Sequence, residues 1–460
     1  MTSLVLAYRN NNNPIKALEL IPEMKQRAIL PDKVLFRSLL SVSIKAGDVD
    51  YLKELAFMMN WPKEMTPNEF NNTAVQIIEG FSALSHITDC LHTYEILKKH
   101  CAPSLSVFGA LMKNYTTLQP ERILELWTDM LKYNVIPDDV CLNAIITACA
   151  NASAITTGRH VHHYIEKHVL LNLLLGTALV NMYGKCGEVK EAISIFNLLK
   201  SKFPLDVQAW TTIIQALGQN GYGREALKMF KTMSLDGKVK PDSVLFASLL
   251  NGCSHAFLVD EAFELIHIMK HTYQVTPTSV HYTCLVDALG RSGLLQEALG
   301  IVEKYAINDV IAWRALLGAC HIYNNLKMGT LAAEQLFKLH PKDPSSCVML
   351  SNILATHKQW KEVQKIREEM KSKKIMKIPG ISHIEIDGKV YSFYVGDTSH
   401  PQSIQIEAKL HEIFLQLQKD GFVHDTSCVL HEVDEKEKIK HLCRHSEKLA
   451  LGLGLINTPP

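Results

Sequence analysis

One recurrence constrains this chain more than anything else in it. PDKVLFRSLL from Pro31, PDDVCLNAII from Pro137, PDSVLFASLL from Pro241 and PTSVHYTCLV from Pro277 are variants of a single segment. Each Pro-polar pair closes one unit, and each apolar run opens the next. Within a unit, apolar residues at i, i+3, i+4 and i+7 mark two amphipathic helices, and the proline after the second stops it. Between them lies a glycine or polar turn: Lys45-Ala46-Gly47-Asp48, Lys185-Cys186-Gly187-Glu188, Gln219-Asn220-Gly221 or Arg291-Ser292-Gly293. The second helix carries small and apolar residues, as in EALKMF at 225–230 and EALGIV at 297–302. One such pair cannot bury both of its apolar stripes, so neighbouring pairs must stack into a solenoid.

At roughly 150 residues per domain, 460 residues would make about three domains, but a repeat array grows in one dimension and escapes that count. Charge is balanced, with 48 Lys plus Arg against 47 Asp plus Glu. Any nucleic-acid binding must therefore use local surfaces, which argues against a histone-like coat. The eleven cysteines are never spaced three apart and mostly sit in apolar helical patterns, as buried free thiols do and a disulfide framework does not. No apolar run reaches the roughly 18 residues of a membrane span. Met1-Thr2-Ser3-Leu4-Val5-Leu6-Ala7-Tyr8 already reads like the middle of a helix, so the chain is expected to lack its start.

The units vary between roughly 31 and 36 residues, whereas the tetratricopeptide period is fixed at about 34. They also carry M-x-x-x-x-(V/I)-x-P-D, from Met24 to Asp32, Met130 to Asp138 and, with one extra residue, Met233 to Asp242. With LVNMYGKCGEVKEAISIF from Leu179, AWTTIIQALGQNGYGREALKMF from Ala209 and HYTCLVDALGRSGLLQEAL from His281, the chain resembles the pentatricopeptide repeat family. The resemblance is to the plant-type subclass in which three repeat variants alternate. It implies an all-α helical-repeat solenoid, a right-handed superhelix of helix-turn-helix pairs. The units fall at 1–32, 33–68, 69–104, 105–138, 139–172, 173–206, 207–242, 243–278 and 279–309, with 69–104 the weakest match. The segments from Val310 and Ser351, within 310–377, resemble the two degenerate repeats that couple such an array to a C-terminal domain.

Pentatricopeptide arrays bind single-stranded RNA at one base per repeat, read by two or three side chains. In the family these are the fifth and last residues of the unit. Carried onto this chain, the pairs are Thr2 with Asp32, Arg37 with Asn68, Thr73 with Ser104, Gly109 with Asp138 and Asn143 with Asn172. They continue as Thr177 with Asp206, Thr211 with Asp242, Ala247 with Thr278, and Thr283 with Asp309. An ionised Asp only accepts hydrogen bonds and the guanine edge offers two adjacent donors, so Thr with Asp fits guanine. Asn with Asn is expected to prefer a pyrimidine, while Arg37, Gly109 and Ala247 depart from the readable combinations. If the last full repeat aligns four nucleotides upstream of an edited base, the expected target is G-n-n-n-Y-G-G-n-G-n-n-n-C. Asp after Pro is also a common helix N-cap, which is the capping-only alternative for these residues. Trp210 and Trp313, at equivalent positions, and His160, His162 and His163 read as scaffold.

After Met370 the composition changes. IPGISHIEIDGKVYSFYVGDTSHP, 378–401, alternates apolar and polar residues around Asp387-Gly388 and reads as a β-hairpin, followed by a helix from about Gln402 to Lys419. Pro379-Gly380, Gly396-Asp397, His400-Pro401 and His445-Ser446-Glu447-Lys448-Leu449-Ala450 make 378–460 resemble the N-terminal half of a DYW domain, a cytidine deaminase. The expected architecture is thus the solenoid plus a small α/β partial deaminase-like domain. In such a domain zinc lowers the pKa of a water that attacks C4 of cytosine. His445 would be the zinc ligand and Glu447 the catalytic acid/base. Residues two apart diverge by about 200° on an ideal helix, so both face one metal only at a helix start. A charged helix from about Asp434 to Leu442 would end before a new one near Ser446. No CxxC follows, and a catalytic zinc normally has three protein ligands plus water. His441 with His445, and Cys443 nearby, could clip a metal, although a solvated helical face is the ordinary reading of such a pair.

The reading is a sequence-specific single-stranded RNA-binding protein acting as an organellar C-to-U editing factor, in mitochondrion or chloroplast. As it stands the chain would bind RNA without deaminating it. Either a longer native chain is a zinc cytidine deaminase, with zinc held once the remaining ligands are present, or a deaminase-bearing protein acts in trans. No membrane or DNA partner is expected. The rival reading is a helical-repeat scaffold for protein-protein interaction.

Overall fold

The structure, a computed structural model, describes residues 2–10, 14–20, 22, 33–58, 66–115, 119–376, 380–386, 389–422 and 444–458. Its helices follow one another in pairs. The first pairs are α1 (Thr2–Asn10) with α2 (Pro14–Leu18), α3 (Lys33–Ala46) with α4 (Val49–Met58), α5 (Pro67–Ala83) with α6 (Ile87–His100), and α7 (Leu105–Tyr115) with α8 (Pro120–Lys132). Next come α9 (Asp139–Ala152) with α10 (Ile155–His168), α11 (Leu173–Lys185) with α12 (Val189–Lys202), α13 (Val207–Gln219) with α14 (Gly223–Asp236), and α15 (Ser243–His255) with α16 (Val259–His271). The series ends with α17 (Ser279–Arg291) and α18 (Leu295–Tyr305), α19 (Val310–Ile322) and α20 (Leu326–Leu339), and α21 (Pro344–Thr356) and α22 (Trp360–Ser372). The hairpin β1 (Ile381–Ile386) and β2 (Lys389–Tyr394), then α23 (Ser403–Lys419) and α24 (Ser446–Asn457), complete the chain. The fold is a helical-repeat solenoid with a small α/β portion at its C-terminal end. It divides into two compact units: 1–152 with 157–168, and 153–156 with 169–460.

The turn inside several of the pairs has one geometry. After α11, α13 and α17, Gly187, Gly221 and Gly293 take φ of 83°, 82° and 79°. The residue after each glycine then donates its N–H back into the helix, Glu188 to the Tyr183 carbonyl at 2.9 Å, Tyr222 to Leu217 at 2.9 Å and Leu294 to Leu289 at 3.0 Å. This left-handed closure satisfies carbonyls that the helix end leaves open. The same closure forms without glycine: Leu258 donates to Cys253 at 2.9 Å across Phe257 at φ 59°, and Asn325 donates to Cys320 at 2.9 Å across Asn324 at φ 51°.

Successive first helices approach closely where small residues face one another. A Cβ added to Gly218 on α13 would lie 2.8 Å from Gly252 Cα on α15, and one on Gly290 of α17 would lie 2.7 Å from Ala319 Cβ on α19. Aromatic residues fill the layer between helices. Phe196 meets the buried Trp210 edge-on at 5.0 Å, and the Trp313 Nε1–H donates to the Ile307 carbonyl at 2.7 Å. Burial pushes the thiols of Cys90, Cys141 and Cys253 up to about 12, so these cysteines serve as small apolar groups.

In the C-terminal portion β1 pairs antiparallel with β2, Ile386 opposite Lys389. One face of this hairpin joins α23 and α24 around Ile386, Phe393, Ile406, Leu410, Leu449, Ala450 and Leu453. Gly454 allows α24 to sit against β1, since a Cβ there would come within 2.7 Å of Ile384 Cδ1. Asp32, Pro379, the Asp387-Gly388 turn, the expected helix at 434–442, His441 and Cys443 lie outside the described residues, as does the side chain of Thr2.

Phe257 holds a backbone conformation that a bulky residue disfavours, while its side chain is 61% exposed and contributes little burial. Phe257→Gly should therefore raise stability by about 0.5–1 kcal/mol in urea unfolding. Phe257→Val should lower it.

Candidate functional site

The residue before a first helix recurrently acts as its N-cap. Asp138 accepts the Cys141 N–H at 2.8 Å, Asn172 that of Leu175 at 2.9 Å, Asp206 that of Ala209 at 2.9 Å, Asp242 that of Leu245 at 2.8 Å and Asp309 that of Ala312 at 3.3 Å. At Thr278 the partner is the His281 ring, whose Nδ1 lies 2.9 Å from the hydroxyl and accepts the Thr278 N–H at 3.1 Å. The capping alternative is thus realised for these residues, and at Asp206 and Asp242 it uses one carboxylate oxygen of two. A carboxylate has about four acceptor sites, and one oxygen of Asp206 and of Asp242 makes the cap while the other has no partner among the described residues. Asp206 is exposed and Asp242 half-buried.

In the unit at 279–309 the fifth residue meets the last residue of the same unit. Thr283 Oγ1 lies 3.5 Å from Asp309 Oδ2. The hydroxyl of Thr211 donates back to the Val207 carbonyl at 2.7 Å, which leaves its lone pairs as acceptors at the edge of a side chain only 9% exposed. Thr177, Asn143, Gly109 and Ala247 are half-buried at the same place in their helices, and Arg37 is exposed. Asp32 and the side chain of Thr2 fall outside the described residues.

One unit has a different register from that read in the sequence. Helix α5 starts at Pro67, and Thr66 caps it: Thr66 Oγ1 accepts the Glu69 N–H at 3.4 Å while Glu69 Oε2 accepts the Thr66 N–H at 2.9 Å. Asn68 is therefore inside the helix, and the position equivalent to Asp206 or Asp242 is Thr66. The fifth residue becomes Asn71 in place of Thr73, whose hydroxyl is buried and bonded to the Glu69 carbonyl at 2.8 Å. Asn71 still meets Ser104, accepting its backbone N–H at 2.6 Å, while its amide donates to the Pro67 and Ala102 carbonyls at 2.9 and 3.1 Å. At 6% exposure this amide is satisfied by its own unit.

Beside these pairs the second residue of many first helices is aliphatic and exposed. Val34 and Val140 are 56% and 70% exposed, and Leu174, Val244, Val280 and Ile311 lie between 52% and 63%. Sequence reasoning passed over them although the recurring P-D-x-V string contains Val34, Val140 and Val244. One apolar face beside one set of hydrogen-bonding groups, repeated once per unit, suits flat ligands with polar edges. Three lysines in the last turn of second helices are engaged elsewhere: Lys98 pairs with Asp129 at 3.3 Å, Lys200 lies over Trp210 at 5.2 Å and Lys304 over Tyr305 at 5.0 Å.

At the C-terminal end His445 stands at the N-cap position of α24 and Glu447 in its first turn, which is the helix start that the spacing requires. His445 Nδ1 lies 2.9 Å from Glu447 Oε2, both side chains exposed, and backbone hydrogen bonding together with this contact holds the Glu447 carboxyl below its ordinary value. Among the described residues no three His, Cys, Asp or Glu side chains converge on a metal position. One imidazole and one carboxylate fall short of the donor set a catalytic zinc takes.

Family models agree with this layout. The pentatricopeptide repeat model matches 1–29, 177–202, 244–271 and 280–305, and a second pentatricopeptide repeat model matches 205–255. An E motif matches 323–385, an E+ motif 390–415, and the DYW family of nucleic acid deaminases 421–460. A pentatricopeptide repeat-containing protein of Arabidopsis thaliana is 35% identical over 460 residues, covering 99% of this chain and 61% of that protein. A mitochondrial one from the same plant is 32% identical over 461 residues, covering 100% of this chain and 71% of that protein. A chloroplastic one is 33% identical and the chain covers 47% of its length. The chain spans between 36% and 71% of the length of such curated relatives. The solved structure of pentatricopeptide repeat protein PPR10, a maize protein, in complex with an 18-nt psaJ RNA element aligns with TM-score 0.53 at 16% identity, over 81% of this chain and 60% of that one.

Asp206 separates the capping role from the free oxygen. Asp206→Asn should keep the cap and leave stability within a few tenths of a kcal/mol, whereas Asp206→Ala should cost about 1 kcal/mol in urea unfolding. If the Asn variant costs as much as Ala, the carboxylate holds the fold through something other than the cap.

Proposed function

The chain belongs to the pentatricopeptide repeat family, and we propose that it binds single-stranded RNA at one base per unit, as the addressing part of a C-to-U editing factor in a mitochondrion or chloroplast. The observation that carries this reading is the recurring pair of a fifth residue with the last residue of its unit, flanked by an exposed aliphatic side chain. A Thr hydroxyl and a capping Asp carboxylate supply acceptors, the complement of the two donors on the guanine edge, and in one such pair the Thr283 hydroxyl lies 3.5 Å from Asp309 Oδ2. The guanine readers are then Thr177 with Asp206, Thr211 with Asp242 and Thr283 with Asp309, while Asn143 with Asn172 reads a pyrimidine. Arg37 with Thr66 and the self-satisfied Asn71 with Ser104 carry no base preference in this scheme, and neither do Gly109 with Asp138 or Ala247 with Thr278.

The match to nucleic acid deaminases at 421–460 and the organelle names of the relatives support the editing role. His445 and Glu447 are proposed as zinc ligand and acid/base of a deaminase whose other ligands come from sequence beyond these residues, with a deaminase-bearing protein in trans as the other arrangement. Balanced charge supports recognition by base edges and apolar faces over bulk attraction to phosphate.

Binding of the 460-residue chain to 13-nucleotide RNAs carrying the expected pattern tests this by fluorescence anisotropy. Guanine to adenine opposite Thr211 and Asp242 should weaken binding about tenfold, the loss of one or two hydrogen bonds. Equal affinity for both RNAs would sink the assignment.

A further inference from the structure

Two of the capping residues are threonines, and after both the third residue of the following helix carries a hydrogen-bond acceptor. Thr278 is followed by His281 and Thr66 by Glu69, whereas Leu175, Ala209, Leu245 and Ala312 stand third after Asn172, Asp206, Asp242 and Asp309. His281 is 1% exposed, and its ring is used from both sides. Nε2 lies 2.9 Å from the Ser243 carbonyl oxygen and so carries the hydrogen. Nδ1 lies 3.1 Å from the Thr278 backbone nitrogen, whose N–H it accepts, and 2.9 Å from Thr278 Oγ1. A ring nitrogen that offers a lone pair to one N–H cannot donate to the hydroxyl beside it. The Thr278 hydroxyl is therefore the donor, and its proton is spent on the buried ring although Thr278 itself is exposed. Thr66 repeats the arrangement with a carboxylate, which when ionised only accepts: Glu69 Oε2 lies 2.9 Å from the Thr66 nitrogen and 3.0 Å from its Oγ1.

We propose that His281 is a positioning residue for base recognition by the unit at 243–278: it takes the hydroxyl proton of Thr278 and leaves that oxygen only lone pairs, so that the unit selects guanine and uracil over adenine and cytosine. The inference rests on the one-base-per-unit reading above. It gives a preference to a unit whose fifth residue, Ala247, supplies no polar side-chain atom. A free threonine hydroxyl both donates and accepts, and so suits either kind of ring nitrogen on a Watson–Crick edge. Guanine N1 and uracil N3 carry hydrogens that an acceptor can take, whereas adenine N1 and cytosine N3 are lone pairs that it repels. Thr278 with its proton withdrawn offers what Asp242 offers one unit earlier, an acceptor, without the charge. His281 does this from the helix that follows, through Thr278 and without touching the base.

The test uses the full 460-residue chain and four RNAs that differ only at the nucleotide opposite this unit, between the guanines assigned to Thr211 with Asp242 and to Thr283 with Asp309. The unaltered chain should bind the guanine and uracil forms about threefold or more tighter than the other two, the effect of one hydrogen bond. His281→Gln offers an amide oxygen to Thr278 and an amide N–H to Ser243, and should keep the preference. His281→Leu frees the hydroxyl and should bring the four RNAs within about twofold of one another. Because loss of the ring could disturb α17, Thr278→Asp combined with His281→Leu serves as the second variant. It recreates the combination of Asp242 with Leu245 and should select guanine and uracil again. Equal binding of the four RNAs by the unaltered chain overturns the proposal. So does a preference that survives in a His281→Leu chain shown by its melting curve to be folded, or a folded double variant that has none. The guanine-to-adenine change opposite Thr211 and Asp242 is measured alongside in each protein. If that change weakens binding while the four RNAs bind alike, only the role of His281 fails; if it has no effect either, the reading beneath it fails as well.

Discussion

The side-chain cap at the start of a first helix governs the rest of the structure. It fixes the residue at which the helix begins, and on an α-helix each residue of displacement turns every side chain by about 100°. The same residue is the last of the preceding unit, so one hydrogen bond sets both the stacking register and the identity of the side chain beside the fifth position. In 67–104 the cap falls at Thr66, two residues before the boundary suggested by the sequence pattern. That displacement rotates Thr73 into the core and brings Asn71 to Ser104.

Most of the fold was legible because its determinants are local. The glycines of the inner turns, the apolar stripes and the Pro-Asp caps each act within a few residues, and the helices lie where those signals put them. The register at Thr66 was misread for a local reason too. At Pro137-Asp138, Pro241-Asp242 and Pro277-Thr278 the proline stands before the capping residue. At Thr66-Pro67 the order is reversed and proline occupies the first helical turn, where its missing N–H costs nothing. The Asp343-Pro344 junction has the same reversed order.

What was not legible depends on distance along the chain. Arg314 lies in α19 and Asp343 at the start of α21, and nothing in either neighbourhood announces that a guanidinium will reach the capping carboxylate. The sequence shows an Arg at a fifth position, as it does at Arg37, yet Arg37 is exposed and Arg314 is bound. The difference lies in the residue paired with each, a carboxylate in one case and Thr66 in the other, and that pairing becomes visible only once the unit boundaries are fixed. The His445-Ser446-Glu447 triplet shows the converse limit: its placement at a helix start followed from geometry, whereas the completeness of a metal site depends on groups that come from elsewhere in a fold.

On the proposed reading, using the cap as a reading residue couples specificity to stability in a particular way. An Asp that only capped could be exchanged for Ser, Thr or Asn at little cost, since all four are good N-caps. The scaffold therefore tolerates variation at the positions that would carry the address, and the address can change without refolding the array. Thr278, Asn172, Asp206 and Asp242 already sample that range within one chain, each starting a first helix of the same length. The exception is a unit whose fifth residue carries a charge of its own and meets a capping carboxylate. There the cap becomes half of an ion pair, exchange at either position alone strands the other charge, and the unit is fixed as structure.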